Sequence, residues 1–183
     1  DDRKKLADTP WLFRETNVPE TAIVVPRHST KDRKYIPFGF IGREMILTDA
    51  AMCIPNAGIY EFGILESNVH MAWMRAIGGR IKSDYRYSKD IVYNNFPWPT
   101  PNEHQKVRIE QTSQAILDAR ALYPDSSLAD LYDELTMPPE LRKAHQANDR
   151  AVMDAYGFTK GTAARTSESA CVAELMKLYQ QKA

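Results

Sequence analysis

The chain has 183 residues, 24 basic and 24 acidic side chains, and 43% hydrophobic residues. That length supports one large domain or two small ones with a real core, and the composition is that of an ordinary globular protein. It excludes a low-complexity chain, and no apolar run approaches the roughly 20 residues that span a bilayer.

The first residues, Asp1-Asp2-Arg3-Lys4-Lys5, carry no signal-peptide pattern and read as the interior of a longer polypeptide. Thr21 to Pro26 predicts a buried strand. The polar, basic loop His28–Lys34 follows, and Tyr35 to Ile41 predicts a second strand with Pro37 at an edge or bulge. Met45 to Ile54 predicts a third extended segment, closed by Pro55-Asn56. The spacing of Phe62, Leu65, Val69, Trp73 and Ala76 predicts one helix over Ile59–Ile77, stopped by Gly78-Gly79. Phe96-Pro97-Trp98-Pro99 is too stiff for a helix and predicts a packed strap between two halves.

The character changes near residue 99. Thr100-Pro101-Asn102-Glu103 reads as a capping box opening a helix to about Leu122, with Ile109, Thr112, Ile116, Ala119 and Tyr123 on one face. Ser126–Tyr132 suits a short helix, and Thr136-Met137-Pro138-Pro139 starts another that ends at Gly157. Gly161–Arg165 reads as a loop. Thr166 caps a last helix with Cys171, Leu175, Leu178 and Tyr179 on its buried side. Cys53 and Cys171 lack metal spacing and predict two buried thiols in a reducing compartment. The fold class is therefore α+β: a small twisted mixed sheet with a packed helix over 1–99, then a helical module over 100–183.

The neutral total conceals an asymmetry. Residues 1–100 hold 14 Lys and Arg against 12 Asp and Glu, whereas residues 101–183 hold 10 against 12. Residues 27–43 carry Arg27, Lys31, Arg33, Lys34 and Arg43 against Asp32 alone, and residues 75–89 carry Arg75, Arg80, Lys82, Arg86 and Lys89 against Asp84 alone. Two such patches fit local phosphate contact. The stretch Arg80–Tyr87 alternates charged with partly apolar residues. Read as one strand, it presents Arg80, Lys82, Asp84 and Arg86 outward and packs Ile81, Ser83, Tyr85 and Tyr87 inward. Lysine can donate to guanine and aspartate can accept from the cytosine amino group, so this comb suits base reading flanked by phosphate contacts. The plain alternative is a solvated strand face with surface ion pairs of little energetic weight.

Catalytic signatures are missing from the pattern. There is no glycine-rich phosphate loop, no Cys/His cluster with zinc spacing, and His28, His70, His104 and His145 are scattered.

Longer motifs carry a resemblance. Pro26-Arg27-His28-Ser29 with Arg33-Lys34-Tyr35-Ile36-Pro37, then Phe62–Ser67, His70–Arg75 and Val92–Pro99, resemble the C-terminal part of MmeI-like restriction-modification enzymes. Ala115–Arg120, Leu122–Asp133, Leu135–Arg142 and Ala144-His145 continue it. The resemblance implies a target recognition domain over 1–99 and a C-terminal helical module over 100–183. It implies double-stranded DNA as partner, together with an adenine-specific methyltransferase domain in the same polypeptide, in a prokaryotic cytoplasm and without a membrane. That domain would use S-adenosylmethionine; Mg2+ and a fused endonuclease stay open. This chain shows neither the Asn-Pro-Pro-(Tyr/Phe) motif nor the cofactor loop, so it implies no catalytic, cofactor or metal residue here. In this family the positions two and four residues after the Gly-Arg that follows the recognition helix form a base-reading pair, here Lys82 and Asp84. Arg27, Lys31, Arg33, Lys34, Arg80 and Arg86 are then the expected phosphate contacts. A protein-binding module with an ion-pair rim remains the alternative. An RNA-binding domain is a third, though it lacks the stacking aromatic motif.

Overall fold

The structure is a computed structural model that describes residues 19–182 and, ahead of them, Ala7. The opening Asp1–Lys5 lies outside the described residues. The expected mixed sheet is replaced by two three-stranded sheets, both antiparallel. The first has β1 (Thr21–Pro26) between β3 (Gly39–Gly42) and β4 (Ala51–Pro55). The second has β6 (Asp84–Arg86) between β2 (His28–Ser29) and β5 (Gly79–Ile81). The chain changes sheets at Arg27, whose amide donates to Ala50 and whose carbonyl accepts from Tyr87.

β1 spans the segment its β-branched run predicts, with Ala22, Ile23 and Val25 buried. The second predicted strand is shortened to Gly39–Gly42. Upstream of it, side chains take up the backbone amides: Ile36 donates to the Met71 sulfur and Phe38 to the Glu66 carboxylate at 2.6 Å. The predicted helix over Ile59–Ile77 is two helices, α1 (Ile59–Leu65) and α2 (Asn68–Ile77). Ser67 breaks it by capping α2, its Oγ accepting from the His70 amide and donating to the Ile64 carbonyl. Ala76, placed on the apolar stripe by spacing, is exposed. Ile91-Val92-Tyr93 closes a π-helical turn, Lys89–Tyr93. The strap holds both halves: the Phe96 ring lies 4.5 Å from His70, and the Pro97 carbonyl accepts from Tyr156 Oη.

The helical half has α3 (Glu103–Ala121), α4 (Leu128–Leu131), α5 (Pro139–Ala155), α6 (Ala163–Thr166) and α7 (Glu168–Lys182). The cap of α3 is Asn102, two residues after the expected Thr100. Asn102 Oδ1 accepts from the Gln105 amide at 2.9 Å, and Gln105 Oε1 accepts from the Asn102 amide at 3.0 Å. Asn102→Ala is therefore expected to cost about 1 kcal/mol in urea denaturation, and Thr100→Ala none of it. Ser167 rather than Thr166 caps α7, its Oγ accepting from Ala170. Cys171 is buried as expected, but Cys53 is exposed on the edge strand β4.

One apolar cluster runs through both halves, from Ile23, Phe38, Phe62, Trp73 and Tyr87 to Ile109, Ile116, Leu141, Val152 and Leu175. α1 and α3 approach so closely that a Cβ on Gly63 would lie 1.8 Å from Ser113 Oγ. Asn148 Nδ2 donates to the Gly63 carbonyl at 2.7 Å.

A polar network threads this core. Glu66 Oε1 accepts from Phe38 N and from Arg120 Nη2 at 2.7 Å, and Arg120 also donates to the Phe38 carbonyl and to Tyr132 Oη. Tyr132 Oη meets His145 Nε2 at 2.7 Å, and Tyr35 donates to Asp149 at 2.6 Å. Burial pushes the Glu66 carboxyl up to about 7 and the Asp149 carboxyl up to about 6. Burial also holds the His70 and His145 imidazoles down at about 3. The signs oppose. The carboxyls' contribution is complete below their unfolded range, about pH 4, and is lost as pH rises through 6 and 7. The histidines' contribution is present above their unfolded pKa, about 6.5, and is lost as pH falls toward 3. Urea midpoints should change little between about pH 5 and 6, then drop below about pH 4, where the histidine trend stands alone. A steady loss from pH 6 to 5 would show that the carboxyls are not protonated in the fold.

Candidate nucleic-acid interface

Arg80–Tyr87 is a β-hairpin and not the single strand that its alternation predicts. β5 and β6 pair as Gly79 with Arg86, Arg80 with Tyr85 and Ile81 with Asp84, leaving Lys82-Ser83 as a two-residue turn. Lys82 holds the left-handed φ of 56° that such a turn demands. The turn splits the comb. Arg80 shares a face with its partner Tyr85, whereas Ile81 and Asp84 share the opposite face with Arg86 and with His28 of β2. Lys82 stands at the tip.

The outward charges are nonetheless all exposed: Arg80, Lys82, Asp84 and Arg86. Tyr85 and Tyr87 are buried as expected, at 6% and 2% exposure. Ile81 and Ser83, expected to pack, are exposed because they flank or form the turn, beyond the reach of the core.

The hairpin brings the two basic windows together. β2 pairs with β6 through His28–Arg86 and Ser29–Tyr85, and the Lys31 amide donates to Asp84 Oδ1 at 3.2 Å. That bond orients the Asp84 carboxylate. Among the expected phosphate contacts, Lys31, Lys34, Arg80 and Arg86 are exposed. The Arg80 guanidinium lies over the Tyr85 ring at 4.1 Å and donates to the Ser83 carbonyl, bracing the hairpin from inside its own turn. Arg33 is half-buried and donates to the Ala129 carbonyl, which ties the loop to α4. Arg27 is half-buried where the sheets meet. With Lys89, Ser88, Asp49 and Asp90 it lines a cavity of about 620 Å3, and its buried Nε has no hydrogen-bond partner there.

Lys89 beside Arg27, and His28 opposite Arg86, are not among the expected DNA contacts, although both lie in the basic windows. Among the described residues no group of three or more His, Cys, Asp and Glu side chains is arranged to hold a metal ion. His70 and His145 are packed side chains bonded to Tyr87 and Tyr132.

Family comparison places this arrangement. Residues 1–100 match the MmeI target recognition domain and residues 101–183 match the MmeI C-terminal domain. The chain belongs to the MmeI family. It is 42% identical over 178 residues to DNA methyltransferase A of Bacillus subtilis (strain 168), covering 97% of this chain and 20% of that protein. Its fold is similar to that of the Type IIL restriction-modification enzyme MmeI solved in complex with DNA, with a TM-score of 0.90 and 46% identity over 97% of this chain and 23% of that one. The chain thus spans about a fifth of the length of these MmeI-family relatives. Its α+β half matches the MmeI target recognition domain, and the β5–β6 hairpin carries exposed Arg80, Lys82, Asp84 and Arg86 within it.

Proposed function

We propose that this chain reads the sequence of duplex DNA for an adenine-specific methyltransferase of the restriction-modification type, in the same polypeptide and in the cytoplasm of a prokaryote. The observation that carries the reading is the β5–β6 hairpin, with exposed Lys82 and Asp84 at and beside its tip. A two-stranded ribbon fits the major groove, which is about 12 Å wide and displays a distinct pattern for each base pair. Lys82 donates to guanine O6 and N7, and Asp84 accepts from the amino group of the paired cytosine. Asp84 keeps Oδ2 free for this, because the Lys31 amide takes Oδ1. Arg27, Lys31, Lys34, Arg80 and Arg86 contact phosphates. Arg33, held by the Ala129 carbonyl, positions the loop beside them.

S-adenosylmethionine serves the methyltransferase part. The residues here do not fit a cradle for it: Gly78-Gly79 closes α2 and leads into β5, and the space over Gly78 is taken by the Met74 carbonyl, 2.4 Å from where a Cβ would sit. Among the described residues no helix is long and apolar enough to cross a membrane.

The test is duplex binding by fluorescence anisotropy across a salt series. Affinity should fall steeply with salt as counterions are released, with a slope of roughly 0.9 per phosphate neutralised. Joint replacement Lys31→Ala and Lys34→Ala should weaken cognate and scrambled duplexes alike and flatten the slope. A loss confined to the cognate duplex would make these residues base readers. Binding that ignores salt, or binding to protein in place of DNA, would favour an interaction module.

A further inference from the structure

The hairpin has two faces, and its second face opens on a groove that the reading above leaves unused. Arg80 and Tyr85 form one wall of a cavity of about 560 Å3 whose other wall is Arg75 at the end of α2 with Glu168 and Ser169 at the start of α7. Arg75 and Glu168 also line a smaller cavity of about 130 Å3 that reaches Lys34 and Arg165. The two cavities are therefore neighbours through a shared pair, and they bring together cations from the His28–Lys34 loop, α2, the hairpin and α6.

The ion pairs within this groove build its walls. Arg75 Nε and Nη2 grip the Glu168 carboxylate at 2.9 and 2.8 Å, joining α2 to α7, and Nη1 donates to the Lys34 carbonyl. Arg165 is held by Asp154 and the Phe158 carbonyl. Lys34 and Arg80 carry the charge left over. Lys34 Nζ lies over the Tyr35 ring at 5.2 Å, and Arg80 has the Tyr85 ring and the Ser83 carbonyl. Neither has a carboxylate partner in the salt bridges of the described residues. The groove thus has ion-paired walls and, at each end, a cation without a carboxylate partner among the described residues. Ser169 is exposed on its helical side, in the first turn of a 15-residue helix whose amides favour negative charge.

A ribbon inserted in the major groove has a phosphate backbone on either side. Arg86 and His28 occupy one face of this hairpin and Arg80 the other. We propose that the groove between the hairpin and α7 seats one of the two sugar-phosphate backbones, so that the helical module binds DNA itself and does not only brace the reading domain. This rests on the insertion of the hairpin in the major groove proposed above, and not on which of its side chains reads a base.

Opposite charges at Ser169 test it. Among the described residues the Ser169 hydroxyl meets only the Ser167 hydroxyl, at 2.9 Å, and Ser167 keeps its capping bond in either variant. In the full 183-residue chain, Ser169→Glu should weaken duplex binding about fivefold at low salt, and Ser169→Lys should strengthen it by a similar factor. Both effects should be equal on cognate and scrambled duplexes and should fade with added salt. Thermal melting of each variant reports the fold, and a structural role would shift it without giving affinities of opposite sign. Unchanged affinity in both variants overturns the groove proposal and leaves the hairpin reading standing. Opposite shifts at Ser169 with no loss of cognate preference in Lys82→Ala support the groove and overturn base reading by the hairpin. Failure of the unaltered chain to bind any duplex overturns both.

Discussion

Arg120→Ala is expected to destabilise the chain by about 3–5 kcal/mol, because it strips the partner from a buried carboxylate. Glu66 is fully buried, and Arg120 supplies its ion pair at 2.7 Å. The same guanidinium satisfies the Phe38 carbonyl and Tyr132 Oη and packs over the Phe62 and Tyr132 rings. Truncation therefore leaves a carboxylate, a carbonyl and a hydroxyl short of partners and opens a gap between two rings. The Glu66 carboxyl, pushed up to about 7 by burial, can take a proton and recover part of the loss. The deficit should consequently be larger above pH 7 than at pH 5. The double change Glu66→Gln with Arg120→Met should cost less than Arg120→Ala alone, since it removes both charges together. Urea denaturation with intrinsic fluorescence measures all three. A loss below about 1 kcal/mol for Arg120→Ala would mean that water, and not the guanidinium, satisfies these groups.

The second large effect falls on specificity. Exchange of the reading pair, Lys82→Glu with Asp84→Arg, should switch the preferred base pair at one position of the recognition site, with the wrong pair costing on the order of 1–3 kcal/mol. Reversal of G·C to C·G moves the donor and acceptor edges, so both contacts fail at once, and a carboxylate facing an acceptor adds repulsion. Backbone strain does not confound the exchange at 82, because lysine and glutamate bear the left-handed φ of 56° with the same kind of side chain. Arginine at 84 cannot accept from the Lys31 amide, so melting of the double variant checks that the hairpin still stands. Lys82→Ala alone should relax preference at that position without creating a new one. The assay is methylation of a site library by the full-length protein, read out position by position. Parental preference retained everywhere in the double variant would reduce the pair to solvated charges.

Much of this was legible because local patterns and tertiary packing agree. β1, the long helices α3 and α5, and the strap at Phe96–Pro99 follow from β-branched runs, apolar periodicity and proline spacing. The break between α1 and α2 is masked in the sequence because the apolar stripe of Phe62, Leu65, Val69 and Trp73 stays in phase across it; its signal is Ser67, a good capping residue. The hairpin read as a strand because a two-residue turn interrupts the alternation too briefly to register. Its tip also carries lysine where such turns favour glycine or asparagine. The basic windows were visible separately, but only the pairing of β2 with β6 makes them one surface. The Glu66–Arg120 pair joins residues 54 positions apart, and neither side chain carries a local sign of its partner. Exposure of Lys82 and Asp84 was legible; the engagement of Arg33 with α4 was not, because it depends on a contact 96 residues away.

The close approach at Gly63 governs how the two halves of this chain can be exchanged. A single added methyl there would meet Ser113 of α3, and Asn148 of α5 is bonded to the Gly63 carbonyl. The α+β half and the helical half therefore meet at a fitted seam: a chimera that joins residues 1–100 of this chain to other helices must keep a small hydroxyl residue at Ser113 and an amide at Asn148. The exposed hairpin turn is constrained only locally, by the left-handed φ at Lys82 and the Lys31–Asp84 bond. Exchange of either half has to preserve this three-residue seam, whereas a substitution at the exposed hairpin tip leaves it untouched.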